Sequence, residues 1–256
     1  MTLEEAIAKI KPLDHNAMEI AQKRWDSIAK PLHSLGKLET LLIQIAGITG
    51  NAEVDLSRRG LIAMCADNGV VEEGVTQTGQ EVTAIVAENF LKYDTSVGVM
   101  CKQNHAEIFP VDMGMVTDTK VRTDHKIAYG TQNMTKGPAM TREQAVKGLE
   151  AGIDMVRELN DKGYRILATG EMGIGNTTTS SAVASVLLKQ PVEEMTGRGA
   201  GLTSEGLCAQ DQCDQKAITL NKPDPEDAID VLAKVGGLDI AGMAGVFWEV
   251  RFMVFL

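Results

Sequence analysis

Two apolar periods alternate along the chain. Leu61 to Ala66 is a continuous apolar run of strand length, bounded by Arg59-Gly60 and by Asp67-Asn68-Gly69. It predicts a central strand of a parallel sheet, buried on both faces. Glu107 to Asp112 and Tyr164 to Ala168 repeat the arrangement, each a short apolar strand leading into a glycine turn. Helical spacing marks the segments between and before them. At the front, Leu3, Ala6, Ile7 and Ile10 predict a helix over 3–13, and Met18, Ile20, Ala21 and Trp25 predict a second. After Pro31, Leu38, Leu41, Leu42 and Ile45 predict an inward helical face, as do Val82, Ile85, Val86 and Phe90 further on. Thr141 with Gln144 forms a capping box ahead of Ala145, Leu149, Ile153 and Val156, and Gly163 is the stop. Later, Ser180 to Leu188 reads as a helix, and Pro225 opens another behind an Asp224 cap, with Ile229, Leu232 and Val235 inward. Strands alternating with helices give an α/β fold, a doubly wound, mainly parallel sheet flanked by helices, with right-handed crossovers.

Composition narrows the picture. A chain of 256 residues is long enough to bury one sizeable core. Its net charge of −10, with no cluster of Lys and Arg, argues against a nucleic-acid surface. Cys65, Cys101, Cys208 and Cys213 form no C-x-x-C pair, and an acidic amphipathic segment follows Met1, so the expected compartment is a reducing cytoplasm. No metal site is expected, because the Cys208–Cys213 spacing matches no common zinc pattern. Asp239, Glu249 and Arg251 interrupt the apolar C-terminal stretch, so no membrane span is expected.

The densest chemistry lies in Ala168 to Leu188, ATGEMGIGNTTTSSAVASVLL. A strand end, a glycine-paced turn carrying Glu171 and a hydroxyl-rich helix start follow one another where α/β proteins bind ligands. Gly170, Gly173 and Gly175 let a ligand approach the backbone, and Asn176, Thr177, Thr178 and Thr179 sit at a positive helix end suited to an anion. The spacing G-x-x-G-x-G differs from the dinucleotide pattern, and no Lys follows as in a P-loop. A phosphate on a nucleotide or sugar stays open, as does a turn built for connection geometry alone.

DNGVVEEGVTQTGQEVT, GEMGIGNTTTSSA, TGRGAGLTSEGL and DAIDVLAKVGGLDIAGMAGV, in unbroken order between Leu3 and Phe247, resemble the nicotinate-nucleotide:dimethylbenzimidazole phosphoribosyltransferases. The resemblance implies transfer of phosphoribose from nicotinate mononucleotide to dimethylbenzimidazole or a related base, for the lower ligand of cobamides, without a cofactor. It implies base contacts from Thr78, Val82, Val86, Glu171, Met172, Gly173 and Ile174. It implies phosphoribosyl contacts from Gly175, Asn176, Thr177, Thr178, Arg198 and Gly199. Glu171 is the candidate catalytic carboxylate, and Asp67, Asp112 and Glu171 are expected to face one cleft. The expected layout is a helical segment of a small domain over 1–48, a large α/β domain over 49–247 and an atypical tail over 248–256.

Several positions depart from the family pattern. Pro31-Leu32-His33-Ser34-Leu35-Gly36 replaces Pro-Pro-Gly-Ser-Leu-Gly, Gln132 stands in a slot often held by Arg, and Gln210 falls where a phosphate-neutralising Lys is expected. The family's general-base Glu lies in a Gly-Glu-Gly motif later than residue 256. The expectation is therefore a C-terminally truncated chain with an incomplete small domain, turning over poorly by itself, or a non-catalytic partner subunit of the same family. Its unmatched apolar helices lead to the expectation of a homodimer, or of a complex with a chain supplying the rest.

Overall fold

The computed structural model describes residues 2–8, 12–199, 201 and 203–250. Three helices come first, α1 (Leu3–Ala8), α2 (His15–Ser27) and α3 (Lys37–Thr49). Strand β1 (Arg59–Ala66) passes through a 3-10 turn (Gly69–Glu73) into α4 (Glu81–Phe90) and α5 (Ser96–Gln103), which return the chain to β2 (Ala106–Gly114). A long loop and α6 (Arg142–Asp161) then lead to β3 (Ile166–Met172), followed by α7 (Asn176–Leu188) and α8 (Val192–Met195). Helices α9 (Ser204–Asn221), α10 (Ala228–Val235) and α11 (Leu238–Val250) complete the described chain.

The described strands form one parallel sheet in the order β2-β1-β3. Cys65 of β1 pairs with Asp112 on one side and with Met172 on the other, so all three strands end at one edge. The continuous apolar run of β1 has a simple cause: both faces are covered. Ile62, Met64 and Ala66 pack with Val111 and Met113 under α6, α10 and α11, whereas Ala63 and Cys65 pack with Ile108 under α4 and α5. A third apolar cluster, with Val70, Ala182, Val186, Ala217 and Val235, joins the 3-10 turn to α7, α9 and α10.

Local signals predicted several boundaries well. The Thr141 hydroxyl accepts from Gln144 N–H while the Gln144 side chain accepts from Thr141 N–H, and Ala145, Leu149, Ile153 and Val156 are buried. Other expectations need correction. Asp227 caps α10 by accepting from Ile229 and Asp230 N–H, while Asp224 closes the preceding turn on Glu226 N–H. Leu38, Ile20 and Ile85 are exposed; Ile45 is buried as expected, but α3 also buries Glu39 and Ala46. Glu39 is buried because Lys30 pairs with it at 2.8 Å, which a periodicity count cannot register. The break expected at residue 248 falls inside α11, where Trp248 packs against the main core. Residues 251–256 of the expected tail, and 9–11 of the first expected helix, lie outside the described residues.

Candidate active site

The shared strand edge places Asp67, Asp112 and Glu171 together, but it gives them different work. Asp112 is fully buried; one oxygen accepts Met115 N–H at 2.8 Å and the other lies 3.1 Å from Lys126 Nζ. Burial alone would lower the Lys126 pKa, but its bonds to Asp112 and Asp118 prevail and raise it. Asp67 is also fully buried and accepts Val116 N–H at 2.8 Å. These two carboxylates therefore fasten the loop after β2 and do not open onto the cleft. Glu171 alone of the three reaches solvent.

Glu171 was expected in the turn, yet β3 runs through Met172 and Glu171 pairs with Met64 as part of the sheet. The turn proper is Gly173 to Gly175. A Cβ at Gly173 would lie 2.4 Å from Asp239 Oδ2 and 2.5 Å from Ala66 O, so only glycine lets the chain pass there. Gly175 has φ 92, a left-handed conformation open to glycine at little cost. Helix α7 then starts at Asn176, four residues before the expected Ser180. No side chain caps it, and residues 173–177 line a cleft of about 140 Å³ with Val75, Thr76, Gln77 and Thr78. The positive end of the helix opens onto that cleft. Not every hydroxyl serves it: Thr179 and Ser181 donate back to the carbonyls of Asn176 and Thr177, at 3.1 and 2.8 Å. The buried Thr178 hydroxyl has no hydrogen-bond partner among the described residues.

A carboxyl and carboxamide cluster stands beside the turn. Asn176 Nδ2 donates to Glu171 Oε2, and Asn68 Nδ2 donates to Asp239 Oδ2 at 3.5 Å. Glu171 is exposed as a residue, yet burial around its carboxyl, and then the charge of Asp239, push its pKa up to about 7. Burial pushes Asp239 up to about 6.

Of the expected residues, Thr78 and residues 173–177 line this cleft, whereas the others sit on α4, β3, α7 and the second glycine turn. Thr83 on α4 accepts Ile174 N–H at 3.1 Å and bonds to Asp67, tying the turn to the strand end. Val86 and Met172 both pack against the cluster under α4, and Val82 is half-buried one turn earlier. Gln77 donates to Gly201 O at 2.9 Å, and a Cβ at Gly199 would lie 3.0 Å from Thr177 Cγ2. The second glycine turn thus meets both the base loop and the start of α7. Arg198 is exposed, with its Nη2 3.1 Å from Ser204 Oγ.

The sequence profile of a family described as phosphoribosyltransferase, DBI_PRT, matches residues 10–253. Nicotinate-nucleotide–dimethylbenzimidazole phosphoribosyltransferase of Ruminiclostridium cellulolyticum is 51% identical over 249 residues, which cover 96% of this chain and 71% of that protein. The protein of the same name from Clostridium tetani is 47% identical over 247 residues, covering 96% and 68%. The crystal structure of CobT from Thermus thermophilus superposes with a TM-score of 0.84 at 34% identity, over 92% of this chain and 71% of that one. The chain belongs to this phosphoribosyltransferase family.

Gln210 was expected where the family pattern has a phosphate-neutralising Lys. It is fully buried on α9 and donates to Ser181 Oγ at 3.3 Å, so it carries no charge toward the cleft. Glu72 and Glu73, readable as a solvated loop, accept from Lys136, Asn133 and Thr135 and so bind the 3-10 turn to the loop before α6. Sequence reasoning missed Asn68 and Asp239, whose only signal was their place inside the DNG and GGLDIAG motifs. Among the described residues, no group of three or more His, Cys, Asp or Glu is placed to hold a metal. No described helix is long and apolar enough to cross a membrane.

Proposed function

We propose that this cleft moves phosphoribose from nicotinate mononucleotide to 5,6-dimethylbenzimidazole or a related base, giving alpha-ribazole phosphate and nicotinate for cobamide lower-ligand synthesis. The observation that carries the reading is an uncapped helix start that opens onto a cleft, with Asn176 at that start donating to Glu171 Oε2. In the reaction a base nitrogen bonds to the anomeric carbon as the bond from that carbon to the pyridinium nitrogen breaks. The released electron pair returns to the nicotinate ring, so that leaving group needs no acid. The other nitrogen of the incoming base must lose a proton. The family resemblance assigns that proton to a Glu later in the sequence than residue 256; within this chain Glu171, its pKa pushed up to about 7, is the candidate carboxyl to substitute for it. Thr78, Val82, Val86, Met172, Gly173 and Ile174 form the base side. Gly175, Asn176, Thr177, Thr178, Arg198 and Gly199 form the phosphoribosyl side, where the α7 start offers N–H groups to the phosphate.

Purified protein supplied with nicotinate mononucleotide and dimethylbenzimidazole should release nicotinate and form alpha-ribazole phosphate. Glu171→Gln should lower kcat by about 10²–10⁴-fold, the usual worth of a positioned base. Full turnover in that variant would move the proton acceptor elsewhere, and failure of wild-type protein to bind either substrate would sink the reading.

Two further points belong to the same proposal. Ile20, Ile28, Leu32, Leu35 and Leu38 expose apolar side chains on and between α2 and α3, which fits coverage by a second chain, with a homodimer the simplest form. We also place the protein in the cytoplasm, where the thiols of Cys65, Cys101, Cys208 and Cys213, all free, stay reduced.

A further inference from the structure

The two edges of the sheet are finished differently. Over Val111 to Met113, β2 is covered on its outer side by the loop that follows it: Asp112 N–H donates to Arg122 O at 2.8 Å, Ile127 N–H donates to Met113 O at 3.0 Å, and Val111 bridges to Arg122. β3 has no such cover. Among the described residues its backbone bonds only to β1, in an unbroken parallel register from Arg59 with Ile166 to Cys65 with Met172. Every second residue of β3 thus points its N–H and C=O away from the sheet.

Native proteins blunt such an edge with Lys, with Pro, with a bulge or with a covering segment. Ile166–Met172, ILATGEM, carries no Lys, Arg or Pro, and its register holds no bulge. Its middle is open: Ala168 is exposed, and a Cβ on Gly170 would meet no atom within 4 Å. The Thr169 hydroxyl is buried without a hydrogen-bond partner among the described residues. Apolar side chains flank the strand as well. The helices against its two faces, α4 and α11, expose Ile85 and Phe247.

We propose that the free edge of β3 accepts a parallel strand from a second, different polypeptide. That segment has about five or six residues, the usual strand length, and is apolar and β-branched, because a strand covered on both faces selects such side chains. The length of a relative fits this partner: the match leaves more than a quarter of the Ruminiclostridium cellulolyticum protein outside it, chain enough to carry such a strand. A second copy meets the edge otherwise, since β3 pairing with β3 about a two-fold axis is antiparallel. Parallel strands end together, so the donated strand brings its last residue level with Met172, beside Glu171 at the cleft. The surface is separate from that of α2 and α3, and it stands whether or not the cleft transfers phosphoribose.

Amide hydrogen exchange on the full chain tests it. In the free chain, exchange along Ile166–Met172 should alternate, slow at the N–H groups bonded to β1 and fast at those facing out. The probe is a synthetic peptide with the sequence of β1, Arg59–Ala66, its cysteine replaced by serine, because β1 is the strand that β3 already pairs with in parallel. At millimolar concentration it should slow the outward N–H groups by about tenfold. A spin label at the peptide's N-terminus should broaden the signals of Ile166 and spare those of Met172. Ala168→Lys, a charge of the kind that blunts natural edges, should abolish the slowing. Uniformly slow exchange along β3 in the free chain would overturn the proposal: protection that grows with protein concentration marks a second copy as the cover, and protection lost on removing residues 251–256 marks the chain itself. Unchanged exchange in the presence of the peptide, or broadening at Met172, overturns it too.

Discussion

Asp214 shows how much a single buried group can couple this fold to pH. It sits on α9, fully buried, and among the described residues neither carboxyl oxygen has a hydrogen-bond partner. Burial, and then the charge of Asp211, push its pKa from 3.8 up to about 8. The folded state therefore holds a proton that the unfolded chain releases above its ordinary value. The linkage sign follows: stability is greatest below the unfolded pKa and falls as pH rises through the folded one. Asp214→Asn keeps the shape and removes the ionisation. Its urea midpoint should exceed that of wild-type protein at about pH 9, and the gap should close near about pH 4. A gap that does not change with pH would mean that Asp214 is solvated and titrates normally.

At the level of elements, the tightest joint is the crossing of α6 and α11. A Cβ at Gly152 would lie 2.1 Å from Gly242 O and 2.6 Å from Val246 N, backbone atoms with no flexible side chain to give way. Gly152→Ala should therefore push α11 outward and cost about 1–3 kcal/mol, the usual range for overpacking. Chemical denaturation measures it, and a loss under about 0.5 kcal/mol, ordinary for surface changes, would show that the joint has slack. The effect should also reach the site, because α11 carries Asp239 to the turn at Gly173. The same variant should thus weaken base binding more than a surface change of equal size on α2.

For the molecule as a whole, the central sheet is covered on both faces while the front helices keep an apolar surface. Ile20, Ile28, Leu32, Leu35 and Leu38 are exposed together with Ile7 on α1. Monomers seldom carry such a surface uncovered. Sedimentation of purified protein at micromolar concentration should give a species larger than one chain, and Leu35→Glu with Leu38→Glu should shift it toward the monomer. A stable wild-type monomer would remove the proposed pairing without touching the cleft.

What the sequence determined by itself was whatever depends on neighbours along the chain. The three strands, the Thr141 capping box and the Gly173–Gly175 turn follow from apolar runs, a hydroxyl three residues ahead of Gln144, and glycines whose backbone no other residue replaces. Within GEMGIGNTTTSSA, Glu171 and the start of α7 stand side by side, with Asn176 donating to Glu171. Tertiary structure decided the rest, for reasons of distance and solvent. Leu38 shares its helical face with buried Ile45, and Ile85 its face with buried Phe90, yet both are exposed, because period marks a face and not how far along it the core extends. Asp67, Asp112 and Glu171 end parallel strands alike, but only packing against Val116, Met115 and Lys126 buries the first two as fasteners. Asp239, more than sixty positions after Glu171 in the chain, reaches the slot only because α11 folds back over the sheet, where its charge meets a medium that water no longer screens.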